Sequence, residues 1–335
     1  MKILNKYLAL VLIAVFILAV PSHSSDLKKV GQSGMKWLSI PLGARSASMG
    51  NAYTAVANDP GAVFWNPAGL AFTEGSHLYL NQTQWIADIK VNVGVASYEA
   101  GTYGTFGLSM ALVDWGTFHG TRRANTASGY EETGDFTPKN WALGLSYARR
   151  ISNAFAIGGN IRYLYENLGT TMEGTFDAPE EYTAKMNLLA FDLGTIYYTG
   201  FKDLRLAMSL QNFSQENKYR YEDFSLPLTF KIGLAMNLLS LFGNESDESM
   251  HNLTLSLDAV HPRDYTERMH FGLEYGFKKM FFIRGGFKTN YDEENFAAGA
   301  GFAYPIGNFK VALDYSYVNF ENFDAVHMFS FDFSL

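Results

Sequence analysis

The side chains that most often carry catalysis or bind metals are few in this sequence and do not show the usual spacings. The chain has 7 His and no Cys. His251 and His261 fall at opposite ends of one expected strand, which favours a structural or interfacial role over a metal pair. No Gly-x-Ser-x-Gly turn is present, and the stretch from Gly43 to Gly50 lacks the spacing of a nucleotide-binding loop. The acidic run 292–294 favours solvated loop charge over a weak Ca²⁺ contact, because hard cations need six or more oxygens. We therefore expect no catalytic residue, cofactor or metal, and no enzyme activity.

The first 24 residues have the pattern of a secretory signal. Lys2 and Lys6 precede an apolar run over 7–20, and Ser22-His23-Ser24 follow as a cleavage region. The run is about 14 residues long, which is short for a membrane-spanning helix, so a signal peptide is favoured over a membrane anchor. The absence of Cys excludes lipid attachment there and disulfides elsewhere.

The composition departs from that of a soluble domain. Aromatic residues make up 16% of the chain and charged residues only 18%, whereas about a quarter of a soluble domain is charged. After residue 24 no stretch approaches the roughly 20 apolar residues of a membrane helix. A secreted chain of this kind fits a transmembrane β-barrel in the cell outer membrane. The net charge of −7 gives no reason to expect nucleic-acid binding.

Large apolar residues alternate with small or polar ones along several segments. Over 141–148, Trp, Leu, Leu and Tyr alternate with Ala, Gly, Ser and Ala, and similar patterns recur over 204–211, 311–317 and 329–335. We expect the large residues to face lipid and the small ones to face the lumen. A soluble β-sandwich would also alternate, but its outer positions would be rich in Lys and Glu, so a membrane barrel is favoured.

The alternating segments predict an antiparallel barrel of about 14 strands, an even number as in bacterial barrels. The predicted strands lie near 77–84, 90–98, 102–112, 139–149, 154–165, 183–197, 202–213, 227–239, 251–260, 266–276, 280–288, 294–304, 307–317 and 325–335. The longest connections, 113–138, 166–182 and 214–226, fall at one end, which we expect to be extracellular. Trp85, Trp115 and Trp141 lie next to loops, where we expect them at the membrane interfaces.

Residues 42–71 form the most unusual part of the chain. They are rich in Gly and Ala and carry little charge beyond Arg45 and Asp59. They lack both the alternation of a strand and the stripe of a helix, and small residues allow backbones to approach closely. This predicts a compact, irregular piece held inside another structure. Asn66 and Pro67 are expected to fix a turn, with a gating role as the alternative.

This segment resembles the N-terminal signature of the PorV/PorQ family of outer-membrane proteins, which are β-barrels akin to the FadL-type fatty-acid transporters. The motif residues are Gly43, Arg45, Met49, Gly50, Asn66, Pro67, Ala68 and Gly69. Stretches over 257–262, 271–275 and 282–287 resemble later strands of the family. The resemblance implies a FadL-like barrel with this segment folded into the lumen as a hatch. The expected organisation is a signal peptide over 1–24, an N-terminal periplasmic segment and lumen hatch over 25–75, and an outer-membrane barrel over 76–335.

Several charged residues fall on predicted strands. A charge on the lipid face at mid-depth costs about 2–4 kcal/mol, so we expect most of them to face the lumen, pair with opposite signs and hold the hatch. They are Arg162, Asp192, Arg205, Asp258, Glu274, Arg284 and Asp314, with Arg45 as the partner in the hatch. Arg162 and Asp258 lie near strand ends, where exposure to water is the alternative.

The resemblance implies a role in type IX protein secretion, in which PorV-like barrels escort exported proteins at the outer membrane. The expected partners are then outer-membrane lipid and secreted cargo proteins or other secretion components. An outer loop carries aromatic and charged residues suited to protein contact, although plain loop solvation would need no partner. These residues are Tyr219, Arg220, Tyr221 and Phe224.

The alternative function is a FadL-like channel for the uptake or export of hydrophobic small molecules. It would require an apolar pocket near the hatch and a strand kink that opens sideways. Phe64, Trp65 and Phe72 could line such a pocket around a hydrophobic ligand, or they could pack the hatch against the wall. A hatch that never moves would favour the secretion role, in which the barrel is a scaffold for other proteins. A ligand in the lumen would favour transport.

Overall fold

A computed structural model describes residues 31–175, 178–219, 222–241 and 250–335, with backbone only for 171–175 and 178–180. The expected signal peptide, residues 1–24, lies outside the described residues. Within the described part of the chain, no helix is long and apolar enough to cross a membrane.

The described chain contains eighteen strands. In order they are β1 Ser76–Gln84, β2 Lys90–Glu99, β3 Thr105–Asp114, β4 Phe118–Arg123, β5 Tyr130–Phe136, β6 Lys139–Arg150, β7 Phe155–Thr175, β8 Ala178–Tyr198, β9 Arg205–Phe213, β10 Asn217–Lys218, β11 Asp223–Phe224, β12 Thr229–Asn237, β13 His251–Pro262, β14 Arg268–Phe277, β15 Phe281–Lys288, β16 Glu294–Ile306, β17 Phe309–Phe320 and β18 Val326–Ser334. The short pairs β4–β5 and β10–β11 form separate hairpins.

The other fourteen strands form one closed antiparallel barrel in which each strand pairs with the next barrel strand along the chain. β1 pairs with β18 and closes the ring, with Leu80 opposite Phe331. The predicted fold class and the predicted fourteen strands are confirmed. β7 and β8 are longer than predicted, reaching Thr175 and starting at Ala178. Their ladder continues past a register shift between Asn167 and Thr170 and ends with Thr175 opposite Ala178.

Apolar side chains cover the outside of the barrel, and small or polar ones cover the inside. On β3 the outward residues Phe106, Leu108 and Met110 are 46%, 53% and 44% exposed, whereas the inward Ser109 and Ala111 are buried. Exposure of this many large apolar side chains in a ring is stable only in lipid. The barrel is therefore a membrane protein, and its place is the outer membrane.

The long connections fall at one end of the barrel, as predicted. They include the β4–β5 hairpin, the β7–β8 projection and the segment that carries β10 and β11. Because outer-membrane barrels carry their long loops outside the cell, we call this the outer end and the opposite end the periplasmic end.

The described part of the chain before β1, residues 31–75, lies inside the barrel. It contains 3₁₀ turns at Lys36–Ser39, Pro60–Phe64 and Pro67–Phe72 and one α-helix, α1, at Ala44–Ser48. Further 3₁₀ turns in connections of the barrel are Ile86–Asp88, Gly101–Tyr103 and Leu238–Leu241. We call residues 33–42 the strap and residues 43–73 the hatch.

The strap lies at the outer end, not on the periplasmic side as expected. Ser33 forms a β-bridge with Ser225, and the Lys36 Nζ lies 2.6 Å from Asp264 Oδ2. Both partners belong to outer connections. The expected periplasmic position therefore needs correction for the described residues of that segment. The physical reason is that the strap carries apolar side chains such as Trp37, which are buried in the lumen.

Candidate functional site: a lumen divided by the hatch

The hatch folds locally through turns fixed by its polar and Pro residues. Asn66 Oδ1 accepts a hydrogen bond from Ala68 N at 3.2 Å, and Pro67 begins the 3₁₀ turn. The Asn66 side-chain amide also donates to Thr54 O at 2.9 Å and to Thr195 O of β8 at 3.1 Å. Asn66 therefore shapes its own turn and ties it to the barrel wall.

An ion network joins the hatch to the wall strands β14, β15 and β17. The Arg45 guanidinium binds Glu274 of β14 in a bidentate pair, with Nε–Oε2 at 2.9 Å and Nη2–Oε1 at 3.0 Å. Arg284 of β15 binds the same carboxylate at 2.6 Å and Asp314 of β17 at 2.5 Å. The expectation that strand charges face inward and hold the hatch is confirmed for these residues.

Arg45 also organises the hatch itself. Its Nη1 donates to Asn58 Oδ1 at 2.6 Å and lies 3.2 Å from Asp59 Oδ2. Burial opposes the charge of Arg45, but the interactions with Glu274, Tyr53 and Asp59 together outweigh burial and raise the pKa of the guanidinium, which stays charged. For Tyr53, burial raises the pKa of the hydroxyl, which therefore remains a neutral donor to Asp59.

Asp258 provides a second anchor, on β13. Its Oδ2 accepts hydrogen bonds from Tyr53 N at 3.0 Å, Thr54 N at 2.9 Å and Thr54 Oγ1 at 2.6 Å. The residue is fully buried, so the alternative of a solvated strand end does not hold. Arg205 is different, because it lies near the periplasmic rim with Asp203 Oδ2 3.7 Å away.

A strand irregularity lies beside the upper lumen. The register between β8 and β9 shifts after Phe191, and Asn212 adopts a φ of 63°, as in a β-bulge. Arg162 bridges the irregularity, binding Asp192 at 2.7 Å and Asn212 Oδ1 at 2.6 Å. Arg162 thus faces the lumen and pairs there, as expected.

Glycines in the wall let the hatch backbone touch the strands. A Cβ at Gly286 would lie 2.0 Å from Gly50 N, and a Cβ at Gly158 would lie 2.5 Å from Ala68 N. Similar approaches to hatch atoms occur at Gly194, Gly233, Gly272 and Gly299. Real Cβ atoms cannot approach this closely, so the hatch position depends on these glycines.

A cavity of about 400 Å³, the outer cavity, lies between the hatch and the outer loops. Four of the five Trp residues line it, together with Phe64, and its volume falls within the range of small-molecule sites. These tryptophans are Trp37, Trp65, Trp85 and Trp115. Of the pocket residues named from sequence, Phe64 and Trp65 line this cavity. Phe72 is not among its lining residues and packs against Tyr198, with ring centroids 5.4 Å apart.

Two of the three tryptophans expected at the membrane interface point inward. Trp115 donates its indole N–H to Asn140 at 3.0 Å, and Trp85 packs edge-on against Phe320. Trp141 alone of the three stacks on outward aromatic residues such as Tyr163. Proximity to a loop was the only sequence signal, and it does not say which face a side chain takes.

The outer connection that carries β10 and β11 folds over the outer cavity. Tyr219 donates its hydroxyl to Glu166 of β7, and its ring stacks on Phe224 at 5.1 Å. Phe224 in turn lies on the strap, where a Cβ at Gly34 would be only 2.2 Å from its ring. Tyr219 and Phe224 are therefore half-buried, packed beside the strap that lines the cavity. The other two residues of the expected contact loop, Arg220 and Tyr221, lie outside the described residues.

A second cavity of about 520 Å³, the inner cavity, lies between the hatch and the periplasmic end. It is lined by charged groups of both signs, including Arg45, Asp59, Arg205, Glu274, Lys310 and Asp332. The hatch thus separates the two cavities. The outer one combines four tryptophans with charged residues such as Lys36, Asp264 and Arg268, whereas no described residue that lines the inner one is a tryptophan.

Lys231 of β12 is a site residue that sequence reasoning missed. It is buried at the outer cavity, with Nζ 4.4 Å from the centre of the Trp65 ring. A lone Lys in the inward row of an alternating strand is the signal that could have found it. Among the described residues, no group of three or more His, Asp or Glu side chains could hold a metal ion.

The fold and the site together define a class: an outer-membrane β-barrel whose lumen is closed by an N-terminal hatch. The model of an uncharacterised protein family, UPF0164, matches residues 12–171, slightly less than half of the chain. No curated protein matches the sequence.

Solved structures of FadL-type barrels share the fold. The Ralstonia pickettii toluene transporter TbuX matches with a TM-score of 0.58 at 14% identity, over 88% of this chain and 98% of that one. A Pseudomonas aeruginosa FadL homologue matches with a TM-score of 0.57 at 11% identity, over 88% and 98%. The Pseudomonas putida toluene transporter TodX matches with a TM-score of 0.56 at 13% identity, over 86% and 96%. At these identities the similarity concerns the fold.

Proposed function

We propose that this protein is an outer-membrane channel for hydrophobic small molecules, with the outer cavity as its binding site. The observation that carries the proposal is an aromatic cavity placed directly on the outer side of a plug. Barrel interiors are ordinarily polar, so an aromatic lumen wall points to an apolar solute. Structures with the same fold include two toluene transporters and the CymD monoaromatic hydrocarbon channel, which matches with a TM-score of 0.55.

The geometry around the cavity supports entry from the outer side. The strap adds Trp37, Leu38 and Ile40 to the lining, and Phe224 of the outer connection packs on the strap from outside. The register shift between β8 and β9 is a strand irregularity beside the cavity, although Arg162 bridges it and the described residues show no sideways opening there. The proposed activity involves binding and passage without a catalytic step.

Tryptophan fluorescence tests the binding site directly. Purified barrel in lipid nanodiscs is titrated with toluene, and we expect a saturable change in emission because four of the five Trp residues line the cavity. Ala142→Leu narrows the cavity and should weaken this binding. Ala298→Leu, on the lipid face, is the matched control and should leave it unchanged. A linear response identical in all three proteins would contradict the proposal.

The second candidate is the PorV/PorQ-like role in type IX secretion, in which the barrel binds exported cargo or translocon partners. The observation that favours it is the β4–β5 hairpin, which exposes aromatic residues at the outer end. Phe118, Tyr130 and Phe136 are 44%, 51% and 37% exposed. Affinity purification from native outer membranes tests it. Co-purified secreted proteins that share a C-terminal β-domain would support it, and a lone barrel carrying lipid would support the channel.

A further inference from the structure

The polar contacts between hatch and wall are distributed unevenly around the barrel. Apart from Arg45–Glu274 and Asp258, they come from side chains on β1, β7, β9, β14 and β18 and from a backbone carbonyl of β8. Examples are Ser209 to Trp65 O at 2.7 Å, and Ala44 N to Ser330 Oγ at 2.8 Å. Each such contact satisfies a buried polar group that would be costly to leave unpaired.

The sector formed by β2, β3 and β6 lacks such contacts. No hydrogen bond or ion pair joins residues 43–73 to residues 90–150, and the structure describes both ranges without gaps. The contact there is made by aliphatic side chains. Val63 and Leu70 of the hatch belong to the same buried cluster as wall residues Val91, Val93, Val95, Ala111 and Ala148.

The inner face of β2 is unusual for a barrel lumen. Three successive inward positions, Val91, Val93 and Val95, are valines that are at most 4% exposed. Lumen positions in such barrels are ordinarily polar. These valines form an apolar track along the wall.

The track connects the two cavities. Val91 and Ala111 line the outer cavity. At the other end Val95 pairs across the ladder with Tyr79, which lines the inner cavity. The same buried cluster includes all four residues, so the apolar contact is continuous from one side of the hatch to the other.

We propose that a hydrophobic solute passes the hatch along the β2–β3 sector, between Val93 and the Val63–Leu70 face. This inference rests on the proposed channel function. In this sector a solute exchanges one apolar contact for another, and no hydrogen bond between the hatch and the wall is broken. On the sides of β1, β7 to β9, β13, β14 and β18, the same displacement would leave buried carbonyls or charges without partners. The wall from β15 to β17, which the structure describes in full, also lacks hydrogen bonds to the hatch, but there Gly286 and Gly299 lie directly against the hatch and leave no room for a solute. The hatch can therefore remain anchored during passage.

Two single Val→Thr variants test the route, one in the track and one outside it. Threonine keeps the shape of valine but places a hydroxyl in the wall. Val93→Thr should lower uptake of radiolabelled toluene about fivefold, because an apolar solute in the track would contact a hydroxyl in place of a methyl group. The matched control is Val318→Thr on β17, where an equally buried valine packs near Ala44 and Ala47 of α1. Uptake is measured in a Gram-negative host lacking other barrels of this type.

Two glycine variants test the route independently, and a gel assay checks that each variant folds. A side chain at Gly107 would point at the sector, since its Cβ would lie 3.1 Å from Leu70 Cδ1 and 3.6 Å from Val63 Cγ1. Gly107→Val should block uptake, and Gly285→Val, with no atom within 4 Å, should not. Heat-modifiable gel mobility confirms folding of each variant. Equal uptake by Val93→Thr, Val318→Thr and wild type would overturn the route. Wild-type uptake no higher than that of cells without the barrel would instead refute the channel function itself, and the route with it.

Discussion

The Arg45 network should determine how firmly the hatch is docked, and Arg45→Met tests this. The substitution keeps most of the side-chain volume but removes a bidentate pair to Glu274 and the contacts to Asn58 and Asp59. Loss of one partner from a buried ion pair costs about 3–5 kcal/mol when the other charge is left alone. Here Glu274 keeps Arg284 at 2.6 Å, so we expect a cost of about 2 kcal/mol.

The cost should appear as more frequent release of the hatch. A change of about 2 kcal/mol raises the population of the undocked state about thirtyfold. Hydrogen exchange with mass spectrometry on the solubilised barrel measures it directly, through the backbone amides of residues 44–57. Those amides should exchange about thirtyfold faster in Arg45→Met, while amides of the barrel strands should be unaffected.

The matched control is Arg205→Met, which removes an arginine whose carboxylate partner is 3.7 Å away at the periplasmic rim. It should leave hatch exchange unchanged. Arg45→Lys should lie between wild type and Arg45→Met, because lysine cannot form the bidentate pair. If hatch exchange in Arg45→Met equals that of Arg205→Met, the ion network does not hold the hatch and the reasoning is refuted.

Three further predictions address the other contacts of the hatch and the cover of the outer cavity. Asp258→Ala removes the acceptor of two backbone N–H groups of the hatch and should accelerate exchange at Tyr53 and Thr54; unchanged exchange there would contradict the second anchor. Gly286→Val should prevent docking of the hatch, because even a Cβ would lie 2.0 Å from a backbone nitrogen, and increased ion conductance in planar bilayers would report it. Tyr219→Phe removes the hydrogen bond to Glu166 and should increase iodide quenching of the cavity tryptophans; equal quenching in wild type would show that the cover does not depend on this bond.

The barrel itself could be predicted because every strand must meet the same physical requirement and shows it in its own sequence. Lipid on one side and a filled lumen on the other impose an alternation of period two, and the chain shows it at 141–148 and 311–317. Charges could also be placed, since Glu274 and Arg284 are tolerable only in the lumen. Glu274 and Arg284 lie directly opposite each other on neighbouring strands, and their opposite charges form an ion pair in the lumen.

The interior could be predicted only in part, because it depends on contacts distant in sequence. The strap position follows from a bridge to Ser225 and an ion pair with Asp264, which no local pattern reveals. The glycine contacts have the same origin: Gly286 looks like any small lumen residue until Gly50 is placed against it. Tyr219 was expected to be a contact residue of an outer loop, and its hydrogen bond to the buried Glu166 carboxylate of β7, which half-buries it, has no signal in the local sequence.

The way the hatch is held bears on what can cross the barrel. Passage of a polypeptide would require the hatch to leave the lumen, which means breaking the Arg45 network, the Asp258 contacts and the backbone contacts at Gly286 together. Passage of a small apolar molecule requires only that side chains such as Val63 and Val93 yield in a sector without hydrogen bonds. Side-chain motions of that kind are fast and inexpensive compared with undocking. The anchoring therefore favours a small solute in the lumen, and an exported protein would have to bind at the outer surface.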